Sequence, residues 1–357
     1  MTARRGAAVR AWMTAEGLDV LLVSSAANVR YLTGFSGEGL LVLDGGMLIC
    51  TDSRYRVQAA EEAPEAECAA EGGHLEQAIE RLRALAAART EGPARVGFCG
   101  RQLTWANHHR LSAEVPGIEL VPVEDEVARL RAIKDEGEVE LVARAARIAD
   151  AAFVAWRAEL QAGISEREAA LELERLMVRG GADGASFEVI VAAGPNGAKP
   201  HARPSRRAIA EGDLVVVDWG ATVEGYCSDC TRTILVGAVE ERAVELWRAV
   251  RGAQLAALAA IAPGVPGREV DAVARAYLSD RGWEREFGHG LGHGLGLEVH
   301  ERPNLSRQSE DVLAAGMVVT VEPGVYIDGW GGVRLEELAL VTDAGAQVLT
   351  SAPYDRV

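Results

Sequence analysis

Two patterns of hydrophobic and polar positions follow one another along the chain. In the first third, short apolar runs such as GLDVLLVSS, GLLVLDGGMLICTD and RVGFCG are separated by helical patterns, including an acidic stretch from Ala59 to Ala88. Short buried strands separated by helices predict an α/β domain. The pattern changes between residues 124 and 131, so we predict a smaller domain at 1–126 and a larger one at 127–357.

The second pattern begins with a long segment of helical period, LRAIKDEGEVELVARAARIADAAFVAW, which starts at Leu130. A further helix follows, in which Ser165 and Glu168 have the spacing of a capping box. Strand-like runs then alternate with helices at Glu241–Ile261 and Glu269–Arg281. We therefore expect an α+β fold in which helices pack on one side of a largely antiparallel sheet.

Composition narrows the possible partners and the compartment. The formal net charge of −16 argues against a nucleic-acid ligand, which needs a basic face. Glu16 and Asp19 interrupt the first apolar stretch, and no apolar run approaches the roughly 18 residues of a membrane-spanning helix. The five cysteines do not form a disulfide framework, which is typical of a reducing compartment. We expect a cytoplasmic protein that binds neither nucleic acid nor membrane.

The segment DLVVVDWGATVEGYCSDCTRT contains two acids that solvation does not easily explain. Asp218 follows four apolar residues of a strand, where a carboxylate is costly unless it is paired or bound to a metal. If the chain turns through a four-residue loop at 222–225, Asp218 lies directly opposite Asp229, with Cβ atoms about 5 Å apart. Two such carboxylates need a shared proton or a cation. The alternative is an exposed acidic pair on an edge hairpin.

Other residues extend this pattern. Glu322 ends the apolar strand GMVVTV, Glu336 lies in GGVRLEELALV, and His293 lies at the centre of FGHGLGHGLGLEVHE. Four carboxylates and one imidazole suit a pair of divalent ions better than a structural zinc. Two ions about 3.5 to 4 Å apart can activate water and polarise a carbonyl.

Cys227 and Cys230 also form a C-x-x-C pair, which raises the possibility of a zinc-binding or thiol-redox site. No second pair completes a tetrahedral site, and a spacing of three residues in a strand directs the thiols to opposite faces. We therefore do not favour this reading.

Five ordered motifs resemble the catalytic domain of the pita-bread metallopeptidases: VVVDWGA, YCSDCTRT, GHGLGHGLGLEVHE, GMVVTVEPGVY and GGVRLEE. The resemblance is greatest to the proline-specific branch, which contains prolidase (Xaa-Pro dipeptidase) and aminopeptidase P. RYLTGFSGEG and TDSRYRVQA are similar to the smaller N-terminal domain of that branch. Creatinase-like relatives share the fold but lack the metal ligands.

The resemblance implies a role for each matching residue. Asp229 and Glu336 would bridge the two ions, and the full ligand set would be Asp218, Asp229, His293, Glu322 and Glu336. Glu322 would also act as general base, and His201 and His300 would hold the substrate and stabilise the oxyanion. His289 and Arg334 would support the site. We expect the alternating glycines to let the backbone that carries His293 pass against the metal centre and to leave room for substrate.

Ligand chemistry bears on the metal, and the resemblance bears on the oligomer. Carboxylate-rich sites suit manganese or cobalt, although zinc competes for them, and we predict manganese. The family resemblance implies a homodimer.

The sequence leaves several substrate classes possible. We predict an Xaa-Pro dipeptidase, because the chain lacks insertions that would build an extended groove, and the alternative is an aminopeptidase acting on longer peptides. Arg302, Arg307 and the loop at 203–207 are candidates for binding a dipeptide's carboxylate, as are residues of a partner subunit. A methionine aminopeptidase would share the ligands but not the KPHARP and LEVHE motifs. A non-catalytic binding protein on this scaffold would be expected to lose ligands.

Overall fold

A six-stranded mixed sheet forms the centre of the N-terminal unit in the computed structural model, which describes residues 2–355. Its strands are β1 (Val20–Val23), β2 (Leu40–Leu43), β3 (Met47–Cys50), β4 (Glu67–Ala69), β5 (Ala94–Cys99) and β6 (Ile118–Val123). They lie in the order β4-β3-β2-β1-β5-β6. β1, β5 and β6 are parallel, whereas β2 pairs antiparallel with β1 and β3. The predicted α/β character is confirmed.

Helices connect these strands. They are α1 (Thr2–Ala15), α2 (Ala26–Thr33), α3 (Arg56–Glu62), α4 (His74–Ala88), α5 (Trp105–Glu114) and α6 (Glu126–Ala132). The acidic stretch predicted as helical from Ala59 to Ala88 is interrupted by β4, so that part of the prediction is wrong. Pro64 follows α3 and cannot continue a helix, and Gly72 adopts a positive φ of 94° before α4 begins.

The chain divides into two compact units between Arg131 and Ala132. The second unit begins at this point, and its first long helix is α7 (Glu136–Glu159). The segment predicted as one helix from Leu130 is therefore two helices, with a break at 133–135. Asp135 starts the second helix through a capping box with Glu138, which satisfies backbone N–H groups at the new N-terminus.

The second unit contains two successive sets of helices and antiparallel strands. The first set consists of α7, α8 (Glu166–Arg179), β7 (Gly184–Ala185), β8 (Ile190–Ala193), a 3₁₀ helix (Gly194–Ala198), β9 (Leu214–Trp219), β10 (Ala221–Val223), β11 (Tyr226–Cys227) and β12 (Cys230–Leu235). The predicted capping box of Ser165 and Glu168 is confirmed at the start of α8.

The second set consists of α9 (Glu241–Ala260), α10 (Gly267–Ser279), β13 (Gly292–Gly294), β14 (Glu301–Leu305), β15 (Val318–Val321), β16 (Gly324–Ile327), β17 (Gly331–Arg334), β18 (Glu337–Thr342) and β19 (Gly345–Val348). Strand pairs among β7–β19 are antiparallel, and they form sheets of two to five strands. The α+β prediction is confirmed for this unit.

The two faces of strand β9 have different roles. Val215, Val217 and Trp219 pack into the apolar core formed with α7 and α8, whereas Asp218 points to the opposite face. Trp219 stacks on Phe153 of α7 at a ring-centroid distance of 4.2 Å. The helices thus fix the strand from behind, and its acid is presented on the front.

The C-terminal segment 350–355 is attached to the back of the same sheet by Arg232. This residue is 2% exposed, and its Nη2 donates to the carbonyl of Ala352 at 2.7 Å and to Glu337 Oε1 at 3.3 Å. Its Nη1 also donates to the carbonyl of Glu336. Arg232 thereby fixes the backbone that carries Glu336.

None of the helices in residues 2–355 is long and apolar enough to cross a membrane.

Candidate metal centre

Asp218 and Asp229 reach the centre from one hairpin, but in a register that differs from the prediction. The turn consists of two residues, Glu224 (φ 47°) and Gly225 (φ 78°), and not of a four-residue loop at 222–225. Positive φ at both positions is typical of a type I′ hairpin turn. Asp218 therefore lies opposite Thr231, and Asp229 is its diagonal neighbour. The side-chain period of two keeps both acids on one face in spite of the shift.

The second set of strands contributes the other three residues. Thr320 Oγ1 accepts from the backbone N–H of His293 at 3.0 Å and donates to Glu322 Oε1 at 3.1 Å. Glu336 precedes β18, where Thr231 Oγ1 donates to its Oε2 at 2.7 Å. Two threonine hydroxyls thus orient two of the carboxylates.

The predicted ligands converge. One ligand atom from each of Asp218, Asp229 and Glu336 lies within 4.8 Å of the others. His293 Nε2 lies 3.8 Å from Asp229 Oδ2 and 3.3 Å from Glu322 Oε1. The set is drawn from both halves of the second unit, so its assembly requires both halves to fold.

Burial and mutual repulsion both act on the carboxylates of this cluster. Burial raises the pKa of Asp229 and of Glu336 well above the usual range, and the surrounding carboxylates raise both further. Burial also raises the pKa of Asp218, although Arg334 opposes it. Burial alone would raise the pKa of Glu322, but the hydrogen bond with His293 and nearby positive charges lower it to about 2. Such a group of acids requires shared protons or cations.

Two features of the donors fit a divalent cation. Within residues 2–355, Asp218 Oδ1 and Glu336 Oε1 are buried without a hydrogen-bond partner, which is costly unless another group binds them. His293 Nδ1 lies 3.1 Å from the carbonyl of Gly294, and because that oxygen only accepts, Nδ1 carries the proton. Without a metal, Nε2 donates to Glu322 Oε1, and loss of the Nε2 proton would leave its lone pair directed at the carboxylates, as a metal-ligating imidazole requires.

Arg334 connects the cluster to its surroundings. Its Nη2 donates to Asp218 Oδ2 at 2.5 Å, and its Nη1 donates to the Pro200 carbonyl at 3.0 Å and to the Tyr326 hydroxyl at 2.8 Å. Tyr326 in turn donates to His289 Nε2 at 3.1 Å, since Nδ1 of that ring donates to the Gly290 carbonyl. Burial lowers the pKa of His289, which favours this neutral tautomer. These contacts give Arg334 and His289 supporting positions.

The cluster forms the floor of a cavity of about 580 Å³, a volume within the range of small-ligand sites. His201 and His300 line the cavity together with His289. The His300 ring lies 4.3 Å from that of His293 between centroids, and burial lowers its pKa. His201 is exposed on a loop. Apolar side chains complete part of the wall: Phe187, Ile190 and Val299.

Comparisons with known proteins agree with this arrangement. The sequence pattern of metallopeptidase family M24 matches residues 140–343, and that of the creatinase/prolidase N-terminal domain matches residues 5–133. The chain belongs to metallopeptidase family M24. The family predicted from the motifs is confirmed, and membership in M24 implies divalent metal ions, for which this carboxylate cluster is the candidate site.

Three M24 relatives illustrate the similarity. The uncharacterized peptidase YqhT of Bacillus subtilis (strain 168) is 41% identical over 96% of this chain and 96% of its own length. A solved Xaa-Pro dipeptidase from Bacillus anthracis is 36% identical with a TM-score of 0.93, covering 100% of this chain and 99% of the other. An X-Pro aminopeptidase from Thermotoga maritima MSB8 is 33% identical with a TM-score of 0.90, covering 98% of each chain.

Sequence reasoning missed three residues of this M24 site. Thr231, Thr320 and Tyr326 hold the predicted ligands or their supports through hydroxyl hydrogen bonds. The correct hairpin register would have placed Thr231 opposite Asp218. Thr320 could also have been predicted from the sequence, because it lies two residues before Glu322 and therefore on the same face of its strand. Nothing in the local sequence singles out Tyr326.

The C-x-x-C pair has no part in the M24 centre. Cys227 and Cys230 are both buried, and they belong to different core clusters. Burial raises the pKa of the Cys230 thiol well above its usual range. An inert structural role agrees with this environment.

The glycines on either side of His293 also meet neighbouring strands closely. A Cβ atom on Gly292 would lie closer than 3.0 Å to the Thr320 carbonyl oxygen, and one on Gly294 would lie equally close to the Arg302 carbonyl oxygen. These two glycines allow tight packing against neighbouring strands. Gly290 and Gly292 also line the cavity beside His293, and the expectation that the glycine run leaves room for substrate stays a prediction.

We expect Gly292→Ala to destabilise the second unit by about 2 kcal/mol or more, because a backbone carbonyl would have to move. Thermal unfolding should show a Tm lowered by roughly 4 °C or more. Gly288→Ala is the matched control, since a Cβ there meets nothing within 4 Å and its Tm should stay within about 2 °C. Equal Tm values for the two variants would contradict the packing explanation.

Proposed function

We propose that this chain is a dinuclear metal-dependent exopeptidase that hydrolyses the Xaa-Pro bond of dipeptides. The observation that carries the proposal is the convergence of carboxylates and one imidazole on the floor of a ligand-sized cavity. Membership in the M24 family supports metallopeptidase chemistry. The Bacillus anthracis relative, an Xaa-Pro dipeptidase, supports the substrate class.

The donor set supports a pair of divalent ions. We propose Asp218, Asp229, His293, Glu322 and Glu336 as ligands, with Asp229 and Glu336 shared between the two ions. Oxygen atoms outnumber the one nitrogen donor, and hard oxygen ligands suit manganese. When bound, the ions would supply Lewis acidity that polarises a peptide carbonyl and makes water a stronger nucleophile.

The protein's own groups bind the substrate and move protons. The acidic floor favours the free ammonium group of the substrate, which explains cleavage at the N-terminal residue. Glu322 accepts a proton from the attacking water and transfers it to the proline nitrogen as the C–N bond breaks. His300 and His201 line the cavity, where they donate hydrogen bonds to the carbonyl oxygen as negative charge develops on it.

Proline in the second position agrees with such a site. The bond before proline is a tertiary amide without N–H, so an enzyme that grips its substrate through an extended backbone ladder loses a hydrogen bond there. Chemistry centred on the carbonyl does not depend on that donor.

The alternative is an Xaa-Pro aminopeptidase that acts on longer peptides. The Thermotoga maritima relative, an X-Pro aminopeptidase with a TM-score of 0.90, favours this second candidate. A homodimer and a cytoplasmic location stay predictions. The family resemblance supports the dimer, and the free cysteines support a reducing compartment.

The substrate class is tested by assaying the manganese-loaded protein on Ala-Pro, Ala-Pro-Ala and Met-Ala-Ser side by side. We expect cleavage of the first Ala-Pro bond, with kcat/KM at least about tenfold higher for the dipeptide than for the tripeptide. Preference for Ala-Pro-Ala would favour the aminopeptidase. Cleavage of Met-Ala-Ser alone would contradict proline specificity.

The ligand assignment is tested by Asp229→Asn. We expect metal affinity to fall at least about 100-fold, because even the loss of an outer hydrogen-bond partner of a ligand costs 10- to 100-fold. Activity should be lost in parallel, while circular dichroism shows an intact fold, since a neutral amide relieves the repulsion with the other buried acids.

Glu188→Gln is the matched control for Asp229→Asn. Glu188 also lines the cavity but is exposed and lies outside the carboxylate cluster. Elemental analysis should find the wild-type metal content in this control. A fully active, metal-loaded Asp229→Asn protein would refute the assignment.

A further inference from the structure

We propose that Arg203 binds the free carboxylate of the substrate's C-terminal proline and thereby selects dipeptides. This inference rests on the proposed Xaa-Pro hydrolysis. Arg203 lies in the loop between the 3₁₀ helix and β9, two residues after His201, and it lines the cavity. It supplies positive charge to the cavity wall.

Charge at the two ends of a dipeptide explains the need for such a group. The ammonium end of Xaa-Pro faces the floor, and the carboxylate at its other end is an anion that loses hydration in the cavity unless a cation pairs with it. Among the residues that line the cavity, the arginines are Arg203 and Arg334. The guanidinium of Arg334 is buried and already donates to Asp218, Tyr326, Thr231 and Pro200.

Unlike the guanidinium of Arg334, that of Arg203 is available to bind a substrate carboxylate. Within residues 2–355 its exposed guanidinium has no acidic partner and no hydrogen bond. A guanidinium presents parallel N–H donors that match a carboxylate in bidentate geometry. The nearby polar residues of the cavity wall, Asn304 and Ser306, are neutral and supply no positive charge for a carboxylate.

The other arginines suggested by the sequence either form ion pairs or lie at a different cavity. Arg207 forms an ion pair with Asp213 at 2.6 Å, and Arg302 pairs with Asp311. Arg307 lines a separate surface cavity on α10. These contacts leave Arg203 as the arginine of the initial set that reaches the site.

The loop that carries Arg203 is held from within the protein. Glu166, which is fully buried, accepts from Asn196 Nδ2 at 2.9 Å and from the Ser205 backbone N–H at 2.8 Å. Asn196 Nδ2 also donates to the carbonyl of Arg203 at 3.2 Å. The backbone on both sides of Arg203 is therefore fixed, which lowers the entropic cost of ordering its side chain on a ligand.

The test compares Ala-Pro with Ala-Pro-amide, which lacks the carboxylate, in wild type and Arg203→Gln. Loss of a charged hydrogen bond predicts a roughly 10- to 100-fold fall in kcat/KM for Ala-Pro, mainly through KM. The value for Ala-Pro-amide should change less than about twofold. Arg203→Lys should recover part of the loss, because it keeps the charge but not the planar geometry.

Arg206→Gln is the matched control, because Arg206 is an exposed arginine of the same loop that does not line the cavity. It should leave both substrates unaffected, and equal Tm values for all variants would show that folding is unchanged. An equal fall on both substrates, or no fall on either, would overturn the role of Arg203. A wild-type protein that cleaves Ala-Pro, together with an Arg203→Gln variant that cleaves it equally well, overturns this inference alone, whereas a wild-type protein that cleaves neither substrate overturns the proposed function as well.

Discussion

Repulsion between buried carboxylates is the constraint on which this structure depends. Asp218, Asp229 and Glu336 bring oxygen atoms within 4.8 Å of one another, and burial removes the water that would otherwise screen them. Arg334 offsets part of this charge, and the hydrogen bond of His293 with Glu322 offsets another part. The remaining negative charge is what makes the cavity a site for divalent cations and for the ammonium end of a peptide.

The surrounding protein maintains this unfavourable arrangement from several directions. Apolar packing of β9 against α7 and α8 fixes the strand that presents Asp218, while Arg232 ties the backbone of Glu336 to the C-terminal segment. Threonine hydroxyls then orient individual carboxylates. Because these supports come from both halves of the second unit, the centre is a product of the complete unit and not of any one motif.

Much of this could be predicted from the sequence, for identifiable physical reasons. Apolar runs and helical periods gave the fold class, and acids inside apolar strands marked the cluster, because a carboxylate there needs an explanation. The hairpin register was predicted wrongly, since loop length cannot be read without knowing that Glu224 adopts a positive φ. The register error did not change the predicted cluster, because the shifted register still leaves Asp218 and Asp229 on the same face of the sheet. Contacts between distant segments, such as that of Arg334 with Pro200, carry no local signal.

The most direct test of the central claim is to measure how many divalent ions the purified chain binds and what binding does to stability. Equilibrium dialysis against Mn²⁺ followed by elemental analysis should give two ions per chain. Thermal unfolding should show a higher Tm with the metal, because ligand at 100 times Kd stabilises the folded state by about 2.7 kcal/mol. A chain that binds no divalent ion and unfolds at the same temperature with and without it would contradict the account.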